Sequence, residues 1–351
     1  MKIAVLLSGG VDSSVALRLL KEQGHELTAF YLKIWLEDEL SFLGECPWED
    51  DLKYARAVCE QAGVPLQVLP MQKDYWDTIV NYAIKELRAG RTPNSDMFCN
   101  RLIKFGKFFD KIDDAFDKVA SGHYARIGCE DGKYLLKRSP DPVKDQTYFL
   151  GYMRQDQLAR AVFPLGIYDK SQVRRLARKY DLLNKNRKDS QGICFLGQFK
   201  YSDFVRHHLG EQSGHFIDLE TGARVGEHKG YWFYTIGQRQ GLGLSGGPWY
   251  VVKKDIEENI VYLSRKSSET DFRRNSFLVS DFNWISGERP EKDDLGIKIR
   301  HGREMLQCRL EFLSAGEARV AMDMPDKGIA EGQFAVFYDG DICLGGGIIC
   351  G

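Results

Sequence analysis

Long apolar runs are missing from this chain of 351 residues, although 43% of its residues are hydrophobic. No stretch reaches the about 18 apolar residues that a membrane-spanning helix needs, so we expect no membrane span. The first strand-like run starts at residue 2, and we therefore expect no leader peptide and a cytoplasmic location. The length and apolar content are enough for two or three domains, each with its own core.

Excess charge of one sign is missing too, since the formal net charge at pH 7 is −1. Bulk charge therefore does not predict a nucleic-acid partner, and RNA would have to meet local basic patches. The basic side chains that are candidates for contacts with RNA phosphates are Lys104, Lys107, Lys144, Lys185, Arg187, Lys188, Arg273, Arg274, Arg300 and Arg303.

The eight cysteines include no C-x-x-C pair, and none stands at zinc-ligand spacing from a histidine. These absences exclude the common structural zinc motifs and the disulfide framework of a small secreted domain. We expect no structural metal, a reducing compartment, and cysteines that are mostly buried as small apolar residues. Cys99 and Cys194 differ, because both lie in polar segments near basic residues. Basic neighbours and a helix N-terminus lower the pKa of a thiol, so the sequence predicts thiolate character at both positions.

Two common phosphate-binding motifs are missing as well. No Lys follows Gly10, as a P-loop requires, and the adjacent Gly9 and Gly10 do not fit the dinucleotide fingerprint. Residues 241–246 match G-x-G-x-x-G letter for letter, but Pro248 and a β-type run follow instead of a helix. We interpret that segment as a glycine-rich turn in a β domain.

The opening stretch, MKIAVLLSGGVDSSVALRLLKEQG, is instead typical of a buried strand, a tight glycine loop and a helix. Such a loop directs free backbone N–H groups and the positive helix end at one point, where phosphate binds. Gly9 and Gly10 would let the main chain approach phosphates, and Ser8 and Ser13 would donate hydroxyl hydrogen bonds. Asp12 is anionic like phosphate, so we expect it to hold Mg²⁺ instead. The alternative is an ordinary strand-to-helix turn with an Asp or Ser cap.

Strands alternate with helices up to about residue 208, which predicts an α/β domain with a parallel sheet and crossover helices. Helical periodicity then ends, and short strands with glycine turns begin in the runs HFIDL, YWFYTIG, WYVVKKD and IVYLSR. A second series of strands opens near Asp271–Asn275 and is typical of a barrel or a sandwich. We therefore predict three domains, over residues 1–208, 209–272 and 273–351.

A family resemblance covers nearly the whole chain, in order. It is carried by SGGVDS, NSDMFCNRLIKFG, ASGHYAR, KDQTYFL, DSQGICFLG, YTIGQRQGLG and EGQFAVFYDG…LGGGII. SGGVDS alone resembles the pyrophosphate loop of the ATP-pyrophosphatase families, which split ATP into AMP and pyrophosphate. With the two cysteine motifs and KDQ, the chain resembles the bacterial tRNA 2-thiouridylases, which place sulfur on C2 of the wobble uridine. The resemblance implies an ATP-pyrophosphatase α/β domain, a small central β domain and a C-terminal β barrel.

The resemblance also implies roles for individual residues. Cys99 would be the nucleophile, and Cys194 would carry a persulfide loaded by a sulfur donor such as a cysteine desulfurase or a relay protein. ATP, with Mg²⁺ on Asp12, would contact Leu6, Leu7, Ser8, Gly9, Gly10, Val11, Asp12, Ser13, Leu32 and Gly122. The target base would contact Asn94, Ser95 and Asp96. Other parts of the tRNA would contact His123, Lys144, Asp145, Gln146, Arg300, His301 and Gln333.

Two positions depart from the family's usual pattern. Ser95 stands where Pro is usual, so we expect a less rigid loop, and Leu32 stands where Met is frequent, a change of little volume. Three alternatives stay open: an ATP-pyrophosphatase that aminates its substrate, an RNA-binding protein with a regulatory nucleotide loop, and a redox switch that uses Cys99 and Cys194. The first needs neither cysteine, the second would release no AMP, and the third leaves the glycine loop unexplained. The oligomeric state is not predicted.

Overall fold

The computed structural model describes residues 1–34, 48–189, 201–265 and 274–351. Residues 35–47, whose polar and irregular sequence predicts a loop, lie outside the described residues. The same is true of Cys194 and Arg273. In the part of the chain that is described, no helix is both long and apolar enough to cross a bilayer.

The N-terminal domain is built on a five-stranded sheet in which every pairing is parallel. From one edge to the other, its strands are Leu66–Pro70, Glu26–Lys33, Lys2–Leu6, Lys118–Ala120 and Ala161–Val162. The strand Lys2–Leu6 lies in the middle, and the chain winds outward from it in both directions. A ligand site is therefore expected beyond its carboxyl end.

Both faces of the central strand are covered. Ile3 and Val5 join one core with the helix Val11–Glu22, whereas Ala4 and Leu6 join a second core on the opposite face. Side chains alternate across a strand, so a strand between two helical layers needs apolar residues at every position. This explains the continuous apolar run and confirms the predicted α/β class.

Helical segments connect the strands, as the alternation in the sequence predicts. Up to the central domain they are Val11–Glu22, Trp48–Ala62, Gln72–Tyr75, Trp76–Val80, Asn81–Arg88, Ser95–Phe98, Cys99–Lys107, Phe109–Lys111, Thr147–Leu150, Gln155–Arg160, Lys170–Lys179 and Tyr201–Leu209. The sequence predicts a polar loop at Cys99 and a helix from about Leu102, but the helical segment already begins at Ser95, because the Asn94 side chain accepts a hydrogen bond from the Met97 N–H at 3.3 Å and caps it. Cys99 consequently lies within a helical segment and not in a loop.

The central domain contains a four-stranded sheet. Its strands, in spatial order, are Tyr250–Asp255, Ile260–Ser264, Gly214–Asp218 and Arg224–His228. The expected strand YWFYTIG is wrong, since Tyr231–Phe233 is a short 3-10 turn after Gly230, whose φ is 136°. Tyr231 and Trp232 are buried against the N-terminal domain, and the Tyr231 hydroxyl donates to the Arg88 carbonyl. These aromatic residues therefore join two domains instead of forming a strand.

The C-terminal domain is a closed antiparallel barrel. Its six strands, in order, are Arg274–Trp284, Glu317–Asp326, Leu306–Phe312, Asp294–Lys298, Phe334–Asp339 and Ile342–Ile349. The first of these pairs with both Glu317–Asp326 and Ile342–Ile349, which closes the ring. This decides between the barrel and the sandwich that the sequence left open.

The N-terminal domain adds a hairpin to this barrel. The strands Ala125–Glu130 and Lys133–Arg138 form the hairpin, and Leu136 and Lys137 pair with Cys343 and Ile342 of the last barrel strand. The sequence of residues 129–137 predicts a small hairpin, but it does not predict that the hairpin pairs with the barrel.

A buried ion pair also crosses between these two domains. The Nζ atom of Lys298 lies 3.2 Å from Oδ2 of Asp145, and neither side chain is exposed. The Asp145 carboxylate additionally accepts hydrogen bonds from the Thr147 hydroxyl at 2.9 and 3.0 Å and from Nε of Arg138 at 3.3 Å. Since a buried charge is tolerated only when it is paired and hydrogen-bonded, this cluster fixes the barrel against the N-terminal domain.

Candidate nucleotide and thiol site

The glycine loop follows the central strand directly, and its shape requires that Gly9 has no side chain. Gly9 has φ = 73°, and a Cβ atom on it would lie 2.2 Å from the Asp51 carbonyl oxygen. Gly10 is the N-cap of the helix Val11–Glu22 and has no side chain to cap it. The N–H groups of a first helical turn have no partner within the helix, so they are available to an anion here.

Three serines hold the loop in this shape. The hydroxyl of Ser13 lies 3.2 Å from that of Ser8, accepts from the Ser8 N–H at 3.2 Å and is within 3.1 Å of the Gly10 carbonyl oxygen. Ser14 donates to the same carbonyl at 2.8 Å. The serine hydroxyls thus pre-shape the loop.

The other predicted ATP contacts gather at the same edge of the sheet. Gly122 follows the strand Lys118–Ala120, and a Cβ on it would lie 2.7 Å from the Ser13 nitrogen. Leu32 lies near the carboxyl end of Glu26–Lys33, and Leu6 and Leu7 lead directly into the loop. These residues therefore lie together at the carboxyl ends of the central strands, where a ligand of such a sheet is expected.

Asp12 has strong partners of its own. Its two carboxylate oxygens lie 2.7 and 2.9 Å from Nζ of Lys170, and the Tyr124 hydroxyl donates to Oδ1 at 2.9 Å. Burial and the nearby Asp12 carboxylate raise the pKa of Tyr124, which keeps it a donor. Among the described residues, no three His, Cys, Asp or Glu side chains gather to hold a metal. Asp12 alone does not form a Mg²⁺ site, so Mg²⁺ would have to arrive with ligands from the nucleotide.

Asp189 lies at the centre of a group of cations. Lys144 and Lys170 are 2.6 and 2.7 Å from its carboxylate, and Arg174 also donates to it. Burial by itself would raise the pKa of Asp189, but the hydrogen bonds and attraction of Lys144 and Lys170 lower it to about 2. Asp189 is therefore ionised at neutral pH. It connects Lys144 of the KDQ turn with Lys170, which also pairs with Asp12.

The residues before Asp189 are attached to the loop as well. The Asn184 amide donates to the Gly9 carbonyl at 2.8 Å and to the Ser14 hydroxyl at 2.9 Å. Arg187 donates to the same carbonyl at 3.2 Å and pairs with Asp51. Residues 184–189 therefore pack on the glycine loop.

Cys99 contradicts one expectation. It is buried among apolar residues, and this burial raises the pKa of its thiol, which the Asp96 carboxylate raises further. Lys104 and a hydrogen bond with Tyr75 oppose this effect but do not cancel it. The predicted thiolate character is therefore wrong for this state, because desolvation outweighs the neighbouring ammonium group. Cys194 lies outside the described residues, and its approach to Cys99 stays a prediction.

The segment expected to meet the target base lies against the barrel. The Asn94 amide nitrogen is 3.4 Å from Oε1 of Gln333 and 3.3 Å from the Tyr148 hydroxyl. Gln333 in turn donates to the carbonyls of residues 92 and 93 at 3.0 and 3.1 Å. Ser95 is buried, and Oδ1 of Asp96 is buried without a hydrogen-bond partner among the described residues. Two predicted tRNA contacts, Asn94 and Gln333, are thus brought together.

The KDQ turn is divided between the domain junction and the surface. Asp145 is 1% exposed and its carboxylate is paired with Lys298, so in this structure its side chain is not accessible to RNA. Its role as a tRNA contact stays a prediction. Gln146 accepts from the Tyr124 N–H at 3.0 Å, and both Gln146 and Lys144 remain partly exposed, Lys144 beside Asp189.

The remaining predicted tRNA contacts are scattered around this face. His301 stacks on Phe149 with ring centroids 4.8 Å apart, and its Nε2 is 3.2 Å from the Asp145 carbonyl oxygen. Arg300 forms a two-point ion pair with Asp326 at 2.6 and 2.8 Å, with its side chain 57% exposed. His123 is 2.7 Å from the Ser121 hydroxyl, and burial lowers its pKa well below the usual value, so it is neutral.

Comparison with known proteins agrees with this geometry. The N-terminal domain matches the family described as the tRNA methyl transferase HUP domain over residues 1–198. The tRNA methyl transferase PRC-barrel domain follows over 202–265, and the aminomethyltransferase beta-barrel domain over 274–349. The chain is 47% identical to the tRNA-specific 2-thiouridylase MnmA 1 of Bacteroides thetaiotaomicron, with 99% of each chain covered. Identity is 44% to the MnmA of Parabacteroides distasonis and 42% to that of Porphyromonas gingivalis, again over 99% of each chain.

This chain belongs to the tRNA-specific 2-thiouridylase family. The similarity extends over all three domains, so the 2-thiouridylase plan applies to the whole chain. Among solved structures, the U34-tRNA thiolase NcsA from Methanococcus maripaludis aligns with 60% of this chain and 68% of its own, at 19% identity and a TM-score of 0.36. That similarity is too low to add to the assignment.

Sequence reasoning did not single out Lys170, Tyr124, Asn184 or Asp189, all of which contact the nucleotide loop or its partners. Tyr124 and Asp189 stand in the motifs ASGHYAR and DSQGICFLG, but the resemblance implied no role for either residue. Lys170 opens an ordinary helix with a capping box at Asp169, and only its tertiary position beside Asp12 distinguishes it from other surface lysines.

Proposed function

We propose that this chain is a tRNA sulfurtransferase that uses ATP to replace the C2 oxygen of the wobble uridine with sulfur. The observation that carries the proposal is the glycine loop at the end of the central strand, which has no room for a side chain at Gly9 and offers an uncapped helix N-terminus. The names of its close relatives support tRNA and 2-thiolation as substrate and reaction.

The first chemical step would activate the base. Oxygen O2 of uracil attacks the α-phosphorus of ATP, the bond to the β-phosphate oxygen breaks, and pyrophosphate leaves. An adenylated oxygen is a good leaving group, which the original C2 oxygen is not. The loop N–H groups, with Mg²⁺ carried in by ATP and approached by Asp12, would stabilise charge on the phosphates.

The second step would deliver sulfur from a persulfide on Cys194, loaded by a cysteine desulfurase or a relay protein. In one route, the Cys99 thiolate attacks the inner sulfur, a Cys99–Cys194 disulfide forms, and the released hydrosulfide attacks C2 and expels AMP. In the other, the terminal sulfur attacks C2 directly, AMP leaves, and Cys99 then frees the thiolated base with formation of the same disulfide. Either route requires an external thiol reductant to reopen the disulfide.

The state of Cys99 adds a condition to both routes. Burial protects the Cys99 thiol from solvent. Burial also raises the pKa of this thiol, which therefore stays protonated until its surroundings change. We propose that tRNA and ATP must be bound before this thiol is exposed to Cys194. Such an order would prevent loss of sulfur in the absence of substrate.

The tRNA would be held from both sides of the interdomain junction. Asn94, Ser95 and Asp96 are the candidates for contact with the base, and Lys144, Gln146, His123, Arg300, His301 and Gln333 are candidates for the remaining contacts. A base in an anticodon loop is single-stranded and can be extruded at a cost of only a few kcal/mol. Phosphate contacts by basic side chains would make binding weaken steeply as salt rises.

The test is nucleoside mass spectrometry on unmodified tRNA incubated with the protein, Mg-ATP and a persulfide donor, with AMP measured in the same tubes. Wild type should form 2-thiouridine and one AMP per modified base, while Cys99→Ser and Cys194→Ser form none. Cys59→Ser is the matched control, because Cys59 is as deeply buried as Cys99 but lies in a different core. It should retain thiolation.

The alternatives predict other patterns. AMP without 2-thiouridine, even with a persulfide donor, would favour an ATP-pyrophosphatase that aminates its substrate. Binding of tRNA and ATP without AMP would favour an RNA-binding protein with a regulatory loop. Thiolation that survives loss of either cysteine would contradict the proposed sulfur route.

A further inference from the structure

We propose that Lys170 supplies the phosphate-binding ammonium group that the glycine loop itself lacks, and that Asp189 holds it in place. The inference rests on the proposed use of ATP and adds a residue to it. A P-loop carries its lysine directly after its glycines, whereas here no lysine follows Gly10. The fold brings one from a distant helix.

The position of Lys170 is the first argument. Its Nζ atom contacts both carboxylate oxygens of Asp12, the second residue of the helix whose N-terminus faces the loop. Only 17% of the side chain is exposed. The ammonium group therefore lies partly desolvated at the first turn of this helix, where attraction to an anion is stronger than in water.

The way Lys170 is held is the second argument. Asp12 and Asp189 pair with its Nζ atom from two different segments, and Asp189 is itself paired with Lys144 and Arg174. The ammonium group is therefore fixed beside the glycine loop before a ligand binds, which lowers the entropy cost of binding an anion there.

The third argument is that Lys170 can turn toward a phosphate without leaving its present partners unpaired. Asp12 keeps the hydrogen bond from the Tyr124 hydroxyl at 2.9 Å, and Asp189 keeps Lys144 and Arg174. An ammonium group has three donors in rotatable positions, so one can reach a phosphate oxygen while Asp189 holds the group from the other side. Asp189 is thus a positioning residue.

The experiment compares how tightly each variant binds ATP and adenosine, measured by calorimetry with and without Mg²⁺. Lys170→Met should weaken ATP about 10-fold or more, the range expected for a lost hydrogen bond to a charged group, and should leave adenosine binding unchanged. Lys170→Arg should recover part of the ATP affinity. Asp189→Asn should weaken ATP less than Lys170→Met does, again without an effect on adenosine.

Lys179→Met is the matched control, because Lys179 lies on the same helix but is exposed. It should bind ATP as wild type does. A merely structural role of Lys170 would weaken adenosine and ATP equally, because the whole loop would be disturbed, and that result would overturn the proposal. So would unchanged ATP affinity in Lys170→Met.

The outcome is separable from the test of the proposed function. If wild type forms no 2-thiouridine but Lys170→Met loses ATP selectively, the role of Lys170 stands and thiolation does not. If wild type thiolates tRNA and Lys170→Met binds ATP normally, thiolation stands and the role of Lys170 is wrong.

Discussion

Replacing Lys298 by Met should destabilise the protein far more than an ordinary surface change. The substitution leaves the Asp145 carboxylate buried without its ammonium partner, and breaking a buried pair from one side costs about 3–5 kcal/mol. Asp145 keeps the Thr147 hydroxyl and Arg138, so we expect a loss near the lower end, about 3 kcal/mol.

Equilibrium urea unfolding followed by tryptophan fluorescence measures this loss. A chain of three domains need not unfold in one step. The comparison between variants should therefore use the urea midpoint of the transition in which the barrel unfolds. The double variant Asp145→Asn, Lys298→Met should be more stable than Lys298→Met, because it removes the unpaired charge.

Lys292→Met is the control for this experiment. Lys292 pairs with Asp339 at 2.7 Å in the same domain, but the two side chains are 65% and 45% exposed, so the pair should contribute under about 1 kcal/mol. If Lys298→Met is no less stable than Lys292→Met, the reasoning that makes Asp145 a structural anchor is refuted.

Three further predictions follow from the site. Gly9→Ala should abolish ATP binding in calorimetry while Gly24→Ala, at another positive φ but in open space, should not, because only the Cβ on Gly9 would meet a backbone oxygen at 2.2 Å. Iodoacetamide should modify exposed Cys129 long before buried Cys99, as measured by peptide mass spectrometry, and equal rates at pH 7 would contradict the burial of Cys99. The modification of Cys99 should become faster as pH rises toward the raised pKa of its thiol. The depressed pKa of Asp189 stabilises the fold above the unfolded value of 3.8, and this contribution is lost as pH falls toward about 2. The gap in urea midpoint between wild type and Asp189→Asn should therefore shrink from pH 5 to pH 2.5, and a constant gap would argue against the ion pairs.

Most of the N-terminal architecture could be predicted because its signals are local. A continuous apolar run, a glycine loop and a helix with apolar spacing each depend on neighbours in sequence, and the strand Lys2–Leu6 and the helix Val11–Glu22 follow from them. The aromatic run at Tyr231 shows the limit, because strand-like composition there reflects packing against another domain.

The parts of the site that sequence missed are tertiary. Nothing near Lys170 in sequence indicates that it meets Asp12, which is separated from it by 158 positions. The thiolate prediction for Cys99 failed for the same kind of reason: the basic neighbour was visible in the sequence, whereas the apolar surroundings that raise the pKa come from other segments.

The hairpin that the N-terminal domain adds to the barrel has a consequence for biosynthesis. Its outer pairing partner, the strand Ile342–Ile349, leaves the ribosome long after the hairpin itself. Until then the strand Lys133–Arg138 presents an open edge, to which another nascent chain can pair. The N-terminal domain is thus completed only after this barrel strand has been made, and folding of this chain should be slower and more dependent on chaperones than that of its N-terminal sheet alone.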